Sequence, residues 1–368
     1  MFERPMQDSL HPAGSASQAP APRATRAQFA TADDKDMLRA VRDITKDLGT
    51  ASPAIYWTDT LASATLGYAA MAGAILVENT GVAVLLALVA ALALYRALMF
   101  IHELSHIRND ALPFYRMGWN LLVGIPMLTP SFMYEGVHVI HHKRTQYGTI
   151  EDPEYLPLAL MKPWSLPLFV LIAMLAPFAF LLRCAVLVPL GAVIPPIRTL
   201  VWQRFSALSI NPDFRRRPAQ GELRTRVLWL ETVASLWAIA LLASTQFIGW
   251  RPLLIALAIL SLTAVLNQLR TLVAHLWENE GDPMTVTAQF LDSVNVPPPG
   301  RIAELWAPVG LRYHALHHLM PSIPYHALPE AHRRLVTQMG AGSTYDGANH
   351  RGMFELVSRI ARSTMSGR

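Results

Sequence analysis

Nine of the chain's 13 histidines stand in four places: His102 and His106; His138, His141 and His142; His275; and His314, His317 and His318. On a helix each residue advances about 100°, so positions i, i+3 and i+4 share a face. His138, His141 and His142 occupy those positions, as do His314, His317 and His318, while His102 and His106 stand at i and i+4. Each group can present its imidazoles as one cluster. Neutral imidazole is a nitrogen donor suited to iron, zinc or copper. Nine such donors are too many for one ion and suit two, with positions left open for water or oxygen. A single histidine at a membrane interface is more often an ordinary polar residue, but two copies of H-x-x-H-H beside H-x-x-x-H are not explained that way. His275 is read as the ninth ligand, supplying what the short group at His102 and His106 lacks. His11, His326, His332 and His350 have no partner at ligand spacing and are read as structural or surface residues.

One competing chemistry uses the same letters. His102-Glu103-Leu104-Ser105-His106 matches H-E-x-x-H, in which Glu103 would be the general base of a membrane zinc protease. That reading leaves both H-x-x-H-H groups idle. In the cluster reading Glu103 is a neighbour that holds an imidazole N–H. A non-catalytic metal-binding membrane protein is the third reading, against which the open ligand positions argue. Cys184 is the only cysteine, which excludes an internal disulfide and a cysteine-ligated zinc or iron–sulfur site.

The elements that must position these groups are written in apolar runs. Of 368 residues 52% are hydrophobic and 15% charged, against about 25% charged in soluble domains. The expected class is an all-α polytopic membrane protein. It has two transmembrane hairpins (about four spans), interfacial or re-entrant helices, and a cytoplasmic cap carrying the histidines. The net charge is +5, and the arginines flank apolar runs, so they point to anionic lipid headgroups rather than nucleic acid.

In order, residues 1–32 read as a disordered tail rich in Pro, Ala, Ser and Arg, with no secretory signal. Residues 33–54 hold an amphipathic helix capped by Asp33 or Asp34, with Met37, Leu38, Val41, Ile44 and Leu48 on one side. It lies either on headgroups or on the protein's own soluble part. Residues 55–340 form the membrane domain and 341–368 a C-terminal tail. Trp57–Val77 and Val82–Ile101 make the first hairpin, and Val227–Ile248 and Leu253–Ala274 the second. The second helix of each hairpin runs into a histidine, His102 or His275, and Arg96 and Arg270 snorkel to headgroups. Residues 111–137, with Pro113, Pro126 and Pro130, are too broken for a span. If all four histidine places share one surface, the stretch 165–201 must cross the membrane twice or not at all, as a re-entrant or interface-lying pair. The hairpin turns hold one basic residue, Arg251, so the histidines and both termini face the cytoplasm.

These groups, their order and the paired hairpins resemble the membrane fatty acid desaturases, a superfamily that also includes acyl and alkyl hydroxylases. His314–His332, with its Pro-rich tail, Asp152-Pro153-Glu154 and Arg270–His275 add to the resemblance, which covers about residues 55–340. It implies a non-haem diiron centre on His102, His106, His138, His141, His142, His275, His314, His317 and His318. It further implies O2 as co-substrate, a membrane lipid or acyl thioester as substrate, and a separate electron donor of ferredoxin or cytochrome b5 type with its reductase. Acyl-CoA desaturases carry an asparagine one turn before the lone histidine; Thr271 stands there, so no tenth, water-mediated ligand is implied. The expected function is a fatty acyl desaturase, with a hydroxylase of the same superfamily as the alternative. Met127, Phe132, Trp229 and Trp237 either line an apolar tunnel for the acyl tail or, as such residues more often do, serve as ordinary lipid-facing or packing residues.

Overall fold

The computed structural model describes residues 31–366 except 109 and 301. The expected tail, with His11, lies almost wholly outside them. The described residues form helices and no sheet, with three isolated β-bridges.

Helix α1 (Lys35–Thr45) starts where the Asp34 carboxylate accepts the Met37 N–H at 2.9 Å. Its apolar side settles between the two sequence readings. Met37 and Val41 are buried in a cluster with Leu328, Ala331 and Leu335, and Arg334 reaches Asp47 at 2.8 Å. The helix therefore packs on the protein's own cap.

Helices α2 (Pro53–Leu76) and α3 (Thr80–His106) form the first hairpin, with Asn79 capping α3. The buried face of α2 is small: Thr60, Ser63, Ala64, Gly67, Ala70 and Ala74 recur every three or four residues. A Cβ on Gly67 would come within 2.7 Å of the Leu94 side chain, so the backbone approach needs glycine. Those small residues and Asp59 keep α2 out of the set of helices long and apolar enough to cross a membrane. That set is α3, α6, α8 and α9 as defined below. The sequence expectation counted Trp57–Val77 instead. Arg96 does not snorkel. It bonds Asp59 at 2.7 Å, and the Tyr325 hydroxyl donates to the same carboxylate at 2.8 Å.

Next come α4 (Tyr115–Trp119), continued by a π turn at Asn120–Gly124, and α5 (His138–His141). The stretch left open by sequence forms α6 (Ser165–Val193) and α7 (Pro195–Phe205), which meet at Ile194. A 3-10 turn at Ile172–Leu175 and a π turn at Arg183–Leu187 interrupt the regular winding of α6. A Cβ on Gly191 would lie 3.2 Å from the Arg198 backbone, so the two legs turn back closely on each other. Both ends of the pair are tied to the histidine layer. Ala159 N–H bonds the Trp277 carbonyl ahead of α6. After α7, Leu208 N–H bonds Met133, and Ile210 and Asn211 bond Pro153. Both flanks of the stretch are thus hydrogen-bonded to the histidine layer. Arg183 is buried within this pair and bonds Glu231 and the Phe205 carbonyl.

Helices α8 (Gly221–Ile248) and α9 (Arg251–Leu272) form the second hairpin. Here the expected parallel with α3 breaks. α9 ends at Leu272, whose carbonyl accepts the Trp277 indole N–H, and His275 lies beyond it in an extended segment. Backbone bonds from Leu276 N–H to Asp292 and from Val294 N–H to Ala274 hold that segment. The cap follows with α10 (Val286–Asp292), α11 (Ala303–Trp306), α12 (His314–Leu319), α13 (Leu328–Met339) and α14 (Met353–Ser366). Met127 and Phe132 are buried in separate clusters, while Trp229 and Trp237 are about half exposed, so the four form no common tunnel lining.

Candidate metal centre

The end of α3, the short helices α5 and α12, and the extended segment at His275 bring all nine histidines together. They divide into two groups: His102, His106, His138, His142 and His317; and His141, His275, His314 and His318. Within each group the nitrogens lie within 4.8 Å of one another. The division follows helical geometry. Positions i and i+4 differ by about 40° and serve one group, while i+3, about 60° the other way, serves the second. Thus His138 and His142 point to one group and His141 to the other, while His314 and His318 join His141 and His317 joins His138. His275 is the fourth member of the second group. It does not complete the group of His102 and His106, as the sequence suggested, because that group already has five.

The outer nitrogens are held by a second set of residues. His138 Nδ1 meets Glu154 at 2.7 Å, and the Tyr134 hydroxyl donates to the other oxygen of that carboxylate at 2.5 Å. His141 Nδ1 meets Asp152 at 2.9 Å, and the same carboxylate accepts the N–H groups of Gly148 and Glu154, both at 2.8 Å. His275 Nδ1 meets the Tyr147 hydroxyl at 2.8 Å, which donates onward to Asp292 at 2.7 Å. An Nδ1–H spent on these acceptors leaves the Nε2 lone pair free. Nε2 atoms converge accordingly: His138 and His142 at 2.9 Å, His106 and His317 at 3.1 Å, His275 and His314 at 3.1 Å. His314 differs, since its Nδ1 faces the Arg270 guanidinium at 3.1 Å. Arg270 is buried rather than reaching for headgroups.

Electrostatics keep the rings in the ligand form. Burial, then repulsion among neighbouring histidines, holds His138, His142, His317 and His318 well below the ordinary imidazole range. His141 is the opposite case, because the Asp152 carboxylate overcomes its burial and raises it. Burial also pushes Glu154 up to about 7 and Asp292 up to about 6. Bound cations would draw both back toward the carboxylate form.

The residues fit a pair of metal ions. His102 is buried with no hydrogen-bond partner at either ring nitrogen among the described residues. A buried polar atom left unpaired costs about 1–3 kcal/mol, and a metal ion would supply the partner for one of these nitrogens. The protease reading finds no support in Glu103. Its carboxylate accepts the Tyr56 hydroxyl and the Tyr325 N–H at 3.0 Å and lies 3.8 Å from His102 Nδ1, so it bonds no imidazole either.

Tyr134, Tyr147, Asp292 and Ser293, whose hydroxyl lies 3.2 Å from His275 Nδ1, were missed from sequence. Tyr134 carries a signal, since it stands four residues before His138 and stacks on that ring with centroids 4.8 Å apart. Tyr147, in a turn, and Asp292, the last residue of α10, stand 128 and 17 residues from His275 and carry none. Of the remaining histidines, His326 accepts the Ser52 N–H at 3.1 Å and His332 pairs with Tyr345 at 2.9 Å, both structural contacts.

The family model described as fatty acid desaturase matches residues 79–348. A ceramide hydroxylase of Caulobacter vibrioides (strain NA1000 / CB15N) is 48% identical over 334 residues, 90% of this chain and 95% of that protein. No solved structure matches the chain.

Proposed function

Since this chain belongs to the fatty acid desaturase family and is an oxidoreductase of it, we propose that it hydroxylates the hydrocarbon chain of a ceramide-type membrane lipid. The observation that carries this reading is the 48% identity to a ceramide hydroxylase along nearly the full length of both chains. It favours the hydroxylase alternative over the desaturase first expected from sequence.

Two iron ions would be held by the five-histidine and four-histidine groups. When bound, they supply oxidation of an unactivated C–H bond by O2 with two external electrons, the balance being R–H + O2 + 2 e⁻ + 2 H⁺ → R–OH + H2O. The protein's own part is positioning and exclusion of water. Asp152, Glu154 and Tyr147 fix the rotation of His141, His138 and His275. Six of the nine rings are buried, while His106, His142 and His318 form a partly exposed edge. Exposed Lys143 and Arg144 rim that edge, which suits an acidic electron donor of ferredoxin or cytochrome b5 type. A cytoplasmic histidine layer is supported by the hairpin turns, where Arg251 is the only basic residue.

The test is expression in a ceramide-producing host with mass spectrometry of the extracted lipids. Ceramide gaining one oxygen atom, absent with His141→Ala, is the expected result. Ceramide losing two hydrogens would replace hydroxylation with desaturation. A product confined to acyl lipids other than ceramide would overturn the substrate class.

A further inference from the structure

A second polar feature lies between α7 and α8, outside the histidine cluster. Between α7 and the first turns of α8 runs an open cleft of about 150 Å³, lined by Arg198, Trp202, Arg224, Val227 and Leu228. Its aromatic wall is fixed. The Trp202 indole N–H donates to the Arg217 carbonyl at 2.9 Å, and the Arg216 guanidinium stands 4.7 Å over its ring.

The charge in and behind the cleft does not balance. Glu231 is shared by Arg198 and Arg183. Arg224 is exposed and has no carboxylate at ion-pair distance among the described residues. Arg183, Arg198 and Arg224, set against Glu231, leave positive charge in excess, and Arg216 behind Trp202 adds to it. None of the lining residues hydrogen-bonds to any of the nine histidines.

The position of the cleft narrows its ligand. It sits where α8 leaves the histidine layer, since Arg226 on the same turns bonds Glu135 at 2.7 Å, three residues before His138. From the cleft, exposed apolar side chains continue along α8. Leu228 is 48% exposed and Ile239 43% exposed, and eleven residues on a helix bring them within about 20° of one another. A basic cleft at the head of an apolar track is complementary to an anionic headgroup with a hydrocarbon tail. Ceramide carries no charge to answer two arginines.

We infer that this cleft binds an anionic phospholipid, its phosphate between Arg198 and Arg224 and one acyl chain along Leu228 and Ile239. The lipid ties the returning leg of the re-entrant pair to α8. The site does not depend on which reaction the metal centre performs.

Thermal unfolding of the full-length protein in neutral detergent tests this, with added phosphatidylglycerol, phosphatidylcholine of the same chains, or inorganic phosphate. Phosphatidylglycerol should raise the midpoint by about 5 °C more than phosphatidylcholine. Phosphate alone should leave it unchanged, Arg224→Glu should abolish the difference, and Arg42→Glu, an exposed charge reversal on α1, should keep it. Equal shifts with both lipids, or a difference that survives Arg224→Glu, would overturn the site. A shift by phosphate equal to that by phosphatidylglycerol would overturn the lipid as occupant. If Arg224→Glu does not fold, native mass spectrometry of Arg224→Gln should show fewer retained phosphatidylglycerol molecules than wild type, and an unchanged number would count against the proposal.

Discussion

Asp152 and His141 stand 2.9 Å apart, Oδ2 to Nδ1, both fully buried. The carboxylate sets the orientation of a ring in the second histidine group and is itself fixed by two backbone N–H donors. Asp152→Ala should weaken metal binding by about 10- to 100-fold. Iron per chain after dialysis against a graded chelator measures it. Unchanged retention would show that His141 needs no orienting partner.

Removing His275 reduces the second group from four imidazoles to three and leaves the five-histidine group whole. His275→Ala should therefore lower iron content to about half and abolish product formation. His326→Ala, which removes a histidine that accepts the Ser52 N–H, should keep full iron loading. Elemental analysis of both purified variants distinguishes the two roles.

His332 supplies a pH dependence separate from the metal ligands. Burial, with Arg312 adding to it, lowers this imidazole to about 4 from an ordinary value of 6.5. Between those values the unfolded chain binds a proton that the folded one does not. The stabilisation is thus complete above pH 6.5 and is lost as pH falls toward 4, on the order of 3 kcal/mol in all. His332→Gln should flatten the fall in unfolding midpoint across this window relative to wild type. Parallel curves would place the pH sensitivity elsewhere.

Glu231 answers two arginines inside the apolar helices, and its side chain and that of Arg183 are each 3% exposed. Glu231→Gln leaves Arg183 charged and without its carboxylate, a loss of about 3–5 kcal/mol. Thermal unfolding should show a midpoint lower by more than 5 °C. A double change of Glu231→Gln with Arg183→Met should recover part of it, because no buried charge is then left alone.

Much of this was legible because it is periodic. The nine histidines declare themselves by i, i+3, i+4 spacing, and helix geometry carries that spacing directly into two groups. That the flanks of α6 and α7 both bond the histidine layer matches one constraint, that the chain regain the histidine surface. What escaped was pairing between residues far apart in sequence. Arg96 and Arg270 look alike as basic residues near helix ends, yet one finds Asp59 and the other His314. Neither partner is implied by local pattern. Helix α2 is a weaker span by composition for a related reason, since small residues that favour close packing also lower hydropathy.

The split of each H-x-x-H-H between two groups has a mechanical consequence. α5 and α12 each place histidines in both groups, so the two ions would be cross-links sharing their anchors. Together they would clasp chain segments from His102 to His318 that are joined otherwise through long loops and the membrane bundle. Loading of one position would then help to order histidines of the other, so the second ion should bind more tightly than the first, with the cap loosening when both are lost.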